Sequence, residues 1–204
     1  MKDPENIKEL LRLPIDMIGL IFYEKSPRYV GELDPGEFDI VPPNIQKVGV
    51  FVDESEEKML DKKEQYGLQM LQLHGSESPA LCKQLKDKGI RVIKAFRVEK
   101  SEDLEKIVRY ESVCDYFLFD AQTPLYGGSG KKFDWRILAS CPSKKPFFLS
   151  GGIDTDDYER VRQWNMPQLY ALDLNSRFEI SPGLKDIHRI RQFLSPFIQV
   201  NKMY

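Results

Sequence analysis

The chain has little cysteine and less histidine. Cys82, Cys114 and Cys141 are the three cysteines of 204 residues, with no CxxC pair and no metal-like spacing. That argues against a disulfide framework and a zinc site, and leaves each thiol as a small buried hydrophobe. There is no long apolar run either: none approaches the roughly 18–20 residues that span a bilayer. The opening MKDPENIKEL reads as a charged helix, not a secretion signal, so a cytoplasmic protein without membrane attachment is expected. An excess of positive charge is also absent, since 30 Lys+Arg against 32 Asp+Glu leave a net charge of -2. Without a basic stripe to release counterions from a phosphate backbone, no nucleic-acid partner is expected. At 41% hydrophobic and 30% charged, the composition is that of an ordinary globular domain and excludes disorder.

What the chain does contain is a recurring unit. Apolar runs rich in β-branched and aromatic residues occur at 17–22, 48–52, 68–73, 92–96, 116–119, 146–149 and 168–172. Most lack polar alternation, the mark of strands buried on both faces of a parallel sheet. Helical periodicity fills the intervals at 54–66, 78–88, 101–111 and 155–164, and again at 186–198. Ser78 before Pro79, Ser101 before two acids and Thr155 before Asp156 and Asp157 supply start signals. The stretch 31–47 is too Pro-rich for a full helix and reads as a loop with a short, poor one.

Units of roughly 20 to 30 residues favour one compact (β/α) barrel over two domains, so residues 1–204 are read as a single domain. The count has an odd parity. The chain opens on a helix, 4–13, with Asp3 as its N-cap and Pro4 at its first position, and seven strands follow where a closed barrel needs eight. The fold expected is therefore an α/β (β/α)8 TIM barrel lacking its first strand. A doubly wound sheet tolerates an odd count, but its GxGxxG fingerprint is absent. An open barrel would expose the edges of the strands at 17–22 and 168–172, and self-association through those edges is expected.

Chemistry in parallel α/β folds collects at the C-terminal strand ends. Gly151-Gly152, directly after a buried strand, offers backbone N–H groups a phosphate can approach closely; a tight turn is the other reading. The next strand end, Asn175-Ser176-Arg177, strengthens the phosphate reading, because barrels hold phosphates jointly between their last two strand loops. Asp120 ends the run YFLF where it can act as a general acid, or else as a turn aspartate. Gly127, Gly128 and Gly130 suit a lid, with Tyr126 placed to cover a ligand. His74, at another strand end, is either a site residue or a satisfied structural group. Arg28, stiffened by Pro27, suits a bidentate carboxylate partner or a surface salt bridge.

Taken together, DPENI, GLIFYEKSPRYV, VGVFVD, LQLHGSE, FLFDAQTPLYGGSGKKFDW, LSGGI and ALDLNSRFEISPGLKD give a pattern that resembles phosphoribosylanthranilate isomerase of tryptophan biosynthesis over essentially the whole chain. The resemblance implies a cofactor-free, acid/base Amadori rearrangement of a phosphorylated small molecule. It makes Asp120 the general acid and Arg28 the partner of the anthranilate carboxylate. It also gives the phosphate to Gly151, Gly152, Asn175, Ser176 and Arg177, and leaves His74 to shape the site. The family's first strand, a K-[IV]-C-G motif bearing the cysteine base, has no counterpart ahead of Asp3-Pro4, and none of the three cysteines lies at a strand mouth to inherit its role. The expectation is a chain that starts at an internal methionine and is impaired in turnover. The alternative is a noncatalytic phosphate-ligand barrel that has lost its base.

Overall fold

The computed structural model describes residues 1–31, 33–120 and 134–201. The seven expected strands are present: β1 Met17–Ile21, β2 Gln46–Phe51, β3 Met70–Leu73, β4 Arg91–Arg97, β5 Tyr116–Asp120, β6 Phe147–Ser150 and β7 Leu169–Leu172. They pair in sequence order, each parallel to the next. Short right-handed crossovers can build such an order only by winding helices around the outside of a curling sheet. Among the described residues β7 and β1 are not paired, so the sheet is a seven-stranded arc of a barrel.

The pleat sorts side chains into two cores. Val48, Met70, Ile93, Ala95, Leu118 and Phe148 form one cluster. The residues between them, among them Leu71, Val92, Phe117, Phe119, Phe147 and Leu149, join a larger layer with the helices. The first cluster lines the concave face and the second lies between sheet and helices, as period-2 alternation demands of strands covered on both sides. β3 and β6 are buried at every position, whereas Gly19 of β1 and Tyr170 of β7 are exposed at the two edges.

The helices are α1 Pro4–Leu10, α2 Glu56–Tyr66, α3 Pro79–Asp87, α4 Tyr158–Gln163 and α5 Ile187–Asn201. Asp3 caps α1 and Ser78 caps α3, as the sequence indicates. Two start signals shift by one residue, because the side chains that satisfy the first N–H groups lie elsewhere. Asp103 accepts from the backbone of Glu99 and Lys100, so Lys100 and not Ser101 precedes the segment between β4 and β5. Asp154, not Thr155, caps the turn leading into α4. The segment between β4 and β5, Ser101–Tyr110, is a 3₁₀ helix. A two-stranded hairpin, β8 Glu179–Ser181 with β9 Leu184–Lys185, was not expected.

Candidate active site

The concave face changes character along its length. In β5 the inward positions run Tyr116, Leu118, Asp120: two belong to the apolar interior cluster and the third is a carboxylate at the C-terminal end. The same step occurs in β3 and its loop, from Met70 to Gln72 to His74, and in β6 from Phe148 to Ser150. Strand register puts Asp120 opposite Ser150. The polar mouth is thus the direct product of alternation in strands whose lower inward residues are apolar.

His74 Nε2 lies 3.5 Å from Asp120 Oδ2, with both side chains about one-fifth exposed. On the far side of the ring, the amide nitrogen of Gln72 lies 2.9 Å from Nδ1. With the Gln72 amide nitrogen as the donor, Nδ1 accepts, and this contact favours the tautomer that carries its proton on Nε2, facing Asp120. Sequence reasoning passed over Gln72, although its position two residues before His74 on one strand face was a usable signal. Ser150 Oγ donates to Asp173 Oδ2 at 2.9 Å, adding a second carboxylate just beyond β7.

Gly151 and Gly152 follow β6 with φ of 83° and 68°. Both lie in the left-handed region that favours glycine, so the backbone requires this pair as a turn whatever the loop binds. Asn175 and the 3₁₀ turn Ser176–Phe178 follow β7, and Ser176 and Arg177 are exposed. Lys185 Nζ donates to Leu174 O and to Asn175 Oδ1, anchoring that loop from the hairpin.

The fork of Arg28 is engaged within the protein. Its Nε and Nη2 reach both carboxylate oxygens of Glu179 at 2.6–3.0 Å, and Glu179 is only 3% exposed. Burial pushes the Glu179 carboxyl up, but the Arg28 hydrogen bonds and the Lys185 charge outweigh it and hold the group below its ordinary range. The tie bridges the β1 loop and the hairpin after β7, across the open side of the sheet. Nothing in the sequence pairs residues so far apart.

The cysteines lie away from the mouth. Cys82 is in α3, Cys114 just ahead of β5, and Cys141 ahead of β6. Burial pushes the Cys82 thiol to about 11 and the Cys114 thiol to about 12, and raises Cys141 as well. The expected lid residues Tyr126, Gly127, Gly128 and Gly130 lie outside the described residues. Among the described residues no group of His, Cys, Asp and Glu could hold a metal ion, and no helix is long and apolar enough to cross a membrane.

Comparison with known proteins identifies the family. The chain is 46% identical over 201 residues to the N-(5'-phosphoribosyl)anthranilate isomerase of Parabacteroides distasonis, covering 97% of this chain and 90% of that protein. It is 41% identical to that of Phocaeicola vulgatus, covering 98% and 95%. The crystal structure of phosphoribosyl anthranilate isomerase from Thermotoga maritima superposes with a TM-score of 0.83 at 33% identity, covering 96% of this chain and 94% of that one. A solved isomerase in complex with reduced 1-(o-carboxyphenylamino)-1-deoxyribulose 5-phosphate gives 0.79 at 29% identity, covering 96% and 93%. The profile of N-(5'phosphoribosyl)anthranilate (PRA) isomerase matches residues 1–196, and the chain belongs to that family.

Proposed function

We propose that the chain converts N-(5'-phosphoribosyl)anthranilate to 1-(o-carboxyphenylamino)-1-deoxyribulose 5-phosphate, the rearrangement its relatives are named for. The observation that carries this reading is the placement of Asp120 at the polar end of an apolar strand face, with the Nε2 of His74 3.5 Å away. Asp120 gives its proton to the ribose ring oxygen, which opens the ring to an imine. A base then takes the C2 proton, and the resulting enolamine tautomerises to the ketose. The phosphate sits between the backbone of Gly151-Gly152 and the Asn175-Ser176-Arg177 loop, neighbouring strand ends on one side of the mouth. Arg28 meets the anthranilate carboxylate, exchanging part of its bond to Glu179 for a second anion of the same geometry. His74 shapes the pocket beside the acid.

We assign the base to the open side. No described cysteine reaches the mouth, and burial keeps those thiols protonated. The facing edges of β1 and β7 are main-chain edges without a strand partner among the described residues. We place an eighth strand there, closing a (β/α)8 barrel and carrying the base on its inward face. The polypeptide of 204 residues by itself is then expected to bind phosphate or a product analogue and to turn over poorly. The test compares it with a form carrying one more strand ahead of Met1, assayed on N-(5'-phosphoribosyl)anthranilate. The longer form should be active, and Asp120→Asn in it should keep analogue affinity while losing at least ~10²-fold in turnover. Undiminished turnover in that variant removes Asp120 from the mechanism, and equal turnover of the two lengths removes the eighth strand.

A further inference from the structure

Lys94 breaks the rule of the strand that carries it. On the outward face of β4 it stands between Val92 and Phe96, both members of the sheet–helix core, yet it is an ammonium with its side chain 3% exposed. Its partner, Glu77 in the loop after β3, is 1% exposed, and Nζ lies 2.9 Å from Oε2. The other two ammonium hydrogens go to Leu73 O at 3.0 Å and Gly75 O at 2.8 Å, the carbonyls on either side of His74. All three donors of Lys94 are therefore used on the segment that presents His74.

Glu77 works on the same segment from the acceptor side. Its carboxylate accepts from Gly75 N and from Asp53 N at 2.9 Å. Asp53 follows β2 with φ of 51°, a left-handed conformation uncommon for non-glycine residues, though aspartate tolerates it better than most. Its Oδ1 accepts in turn from Ser76 N at 2.6 Å. Gly75 packs so tightly here that a Cβ would stand 2.8 Å from Asp53 N. The ends of β2, β3 and β4 are thus welded through one buried ion pair.

Stability does not explain the pair. Desolvating two charges cancels most of their attraction, and well-packed apolar residues of similar volume commonly serve a fold as well or better. What apolar side chains cannot do is grip the two carbonyls flanking one residue and the amide between them and the next loop. We propose that Glu77 and Lys94 are positioning residues, a buried clamp that fixes the backbone on both sides of His74 and so holds its imidazole between Gln72 and Asp120. The catalytic sense of this rests on the isomerase reading; the clamp itself does not.

The experiment uses the two histidines of the chain. His74 and the exposed His188 on α5 are observed by long-range ¹H–¹⁵N NMR in the unliganded protein, with His188 as the internal reference. In the unsubstituted chain His74 should show a single Nε2–H tautomer. In the Lys94→Met/Glu77→Leu double variant, which removes both charges together, His74 should shift to the mixed tautomers of a free imidazole while His188 stays put. A folded double variant with an unchanged His74 spectrum overturns the proposal. Should it not fold, Glu77→Gln carries the same comparison. The unsubstituted chain supplies a third reading: the Gly75 amide must exchange with solvent far more slowly than the amides of exposed loops, and rapid exchange there also overturns the clamp. In an active form the double variant should lose kcat by up to about 10²-fold with little change in KM. A chain that neither turns over the substrate nor binds the product analogue sinks the isomerase reading, while the histidine spectra still decide the clamp.

Discussion

The two sides of this sheet are held together by different means. Through β3, β4, β5 and β6 each strand has a main-chain ladder on both edges, buried residues on both faces and, at the mouth, the Lys94–Glu77 weld. Across from it, among the described residues, β1 and β7 each have one strand ladder, and on its other edge β1 has only an isolated bridge from Ile21 to Tyr29. The gap between them is spanned by side chains: Arg28 on Glu179, Lys185 on the Asn175 loop, and Asn6 on both backbone groups of Lys185. The proposed acid and its neighbouring histidine stand on the ladder side, while the proposed phosphate and carboxylate contacts stand on or beside the gap. Proton transfer from an acid tolerates little displacement, and anion binding by long side chains tolerates more, so the proposed acid and the proposed anion contacts each stand on a scaffold that suits them.

The largest effect that should break this contrast lies on the ladder side. Lys94→Met leaves Glu77 charged, buried and without its ammonium, and should cost about 3–5 kcal/mol in denaturant unfolding. Adding Glu77→Leu should restore most of the loss. If the single variant cost no more than an exposed substitution, water would have to reach the pair, and the mouth would be looser than its hydrogen bonds indicate.

On the open side the corresponding variant is milder. Glu179→Gln removes the charge that three nearby donors share but keeps an acceptor oxygen, and about 1–3 kcal/mol is expected. The pH dependence has a definite sign. The Glu179 carboxyl titrates below its ordinary 4.5 in the fold, so its contribution is fully present above that value and is lost as pH falls through the lower folded value. Stability of the unsubstituted chain should therefore drop in acid more steeply than that of Glu179→Gln. Identical acid limbs for the two proteins would show that the tie contributes nothing across the gap.

Much of the ladder side was legible in the sequence, and little of the open side was. The seven strands could be read because their apolar runs are burial on two faces written directly into residue type. Asp120 and His74 could be read as residues of the polar mouth because they end such runs. Gln72 was one alternation step away. The 3₁₀ character of Ser101–Tyr110 was not readable, since leucine and isoleucine at a three-residue spacing suit either helix. The β8–β9 hairpin is too short for any period to show, although Pro182-Gly183 marks its turn and Gly183 has φ of 88°. The ion pairs escaped for a more general reason: Arg28 and Glu179 are 151 residues apart, and only the closing of the sheet brings them together.

The smallest effect tests whether the gap is a separate cooperative unit. Asp3 caps α1 by accepting from Asn6 N at 2.7 Å, and Asn6 in turn bonds Lys185 N and O at 2.8 and 2.9 Å. Asp3→Ala should cost only about 1 kcal/mol, the usual value of a lost N-cap. Its consequence should be local, because α1 packs chiefly against the hairpin and α5. Hydrogen exchange read residue by residue should show faster exchange at Lys185 and along β8–β9. Amides of β3, β4 and β5, whose strands are paired on both edges, should lose no more protection than the global change requires. Equal acceleration on both sides would mean that the side-chain ties couple the gap to the ladders as tightly as hydrogen-bonded strands do, and the division between the two regions would not stand.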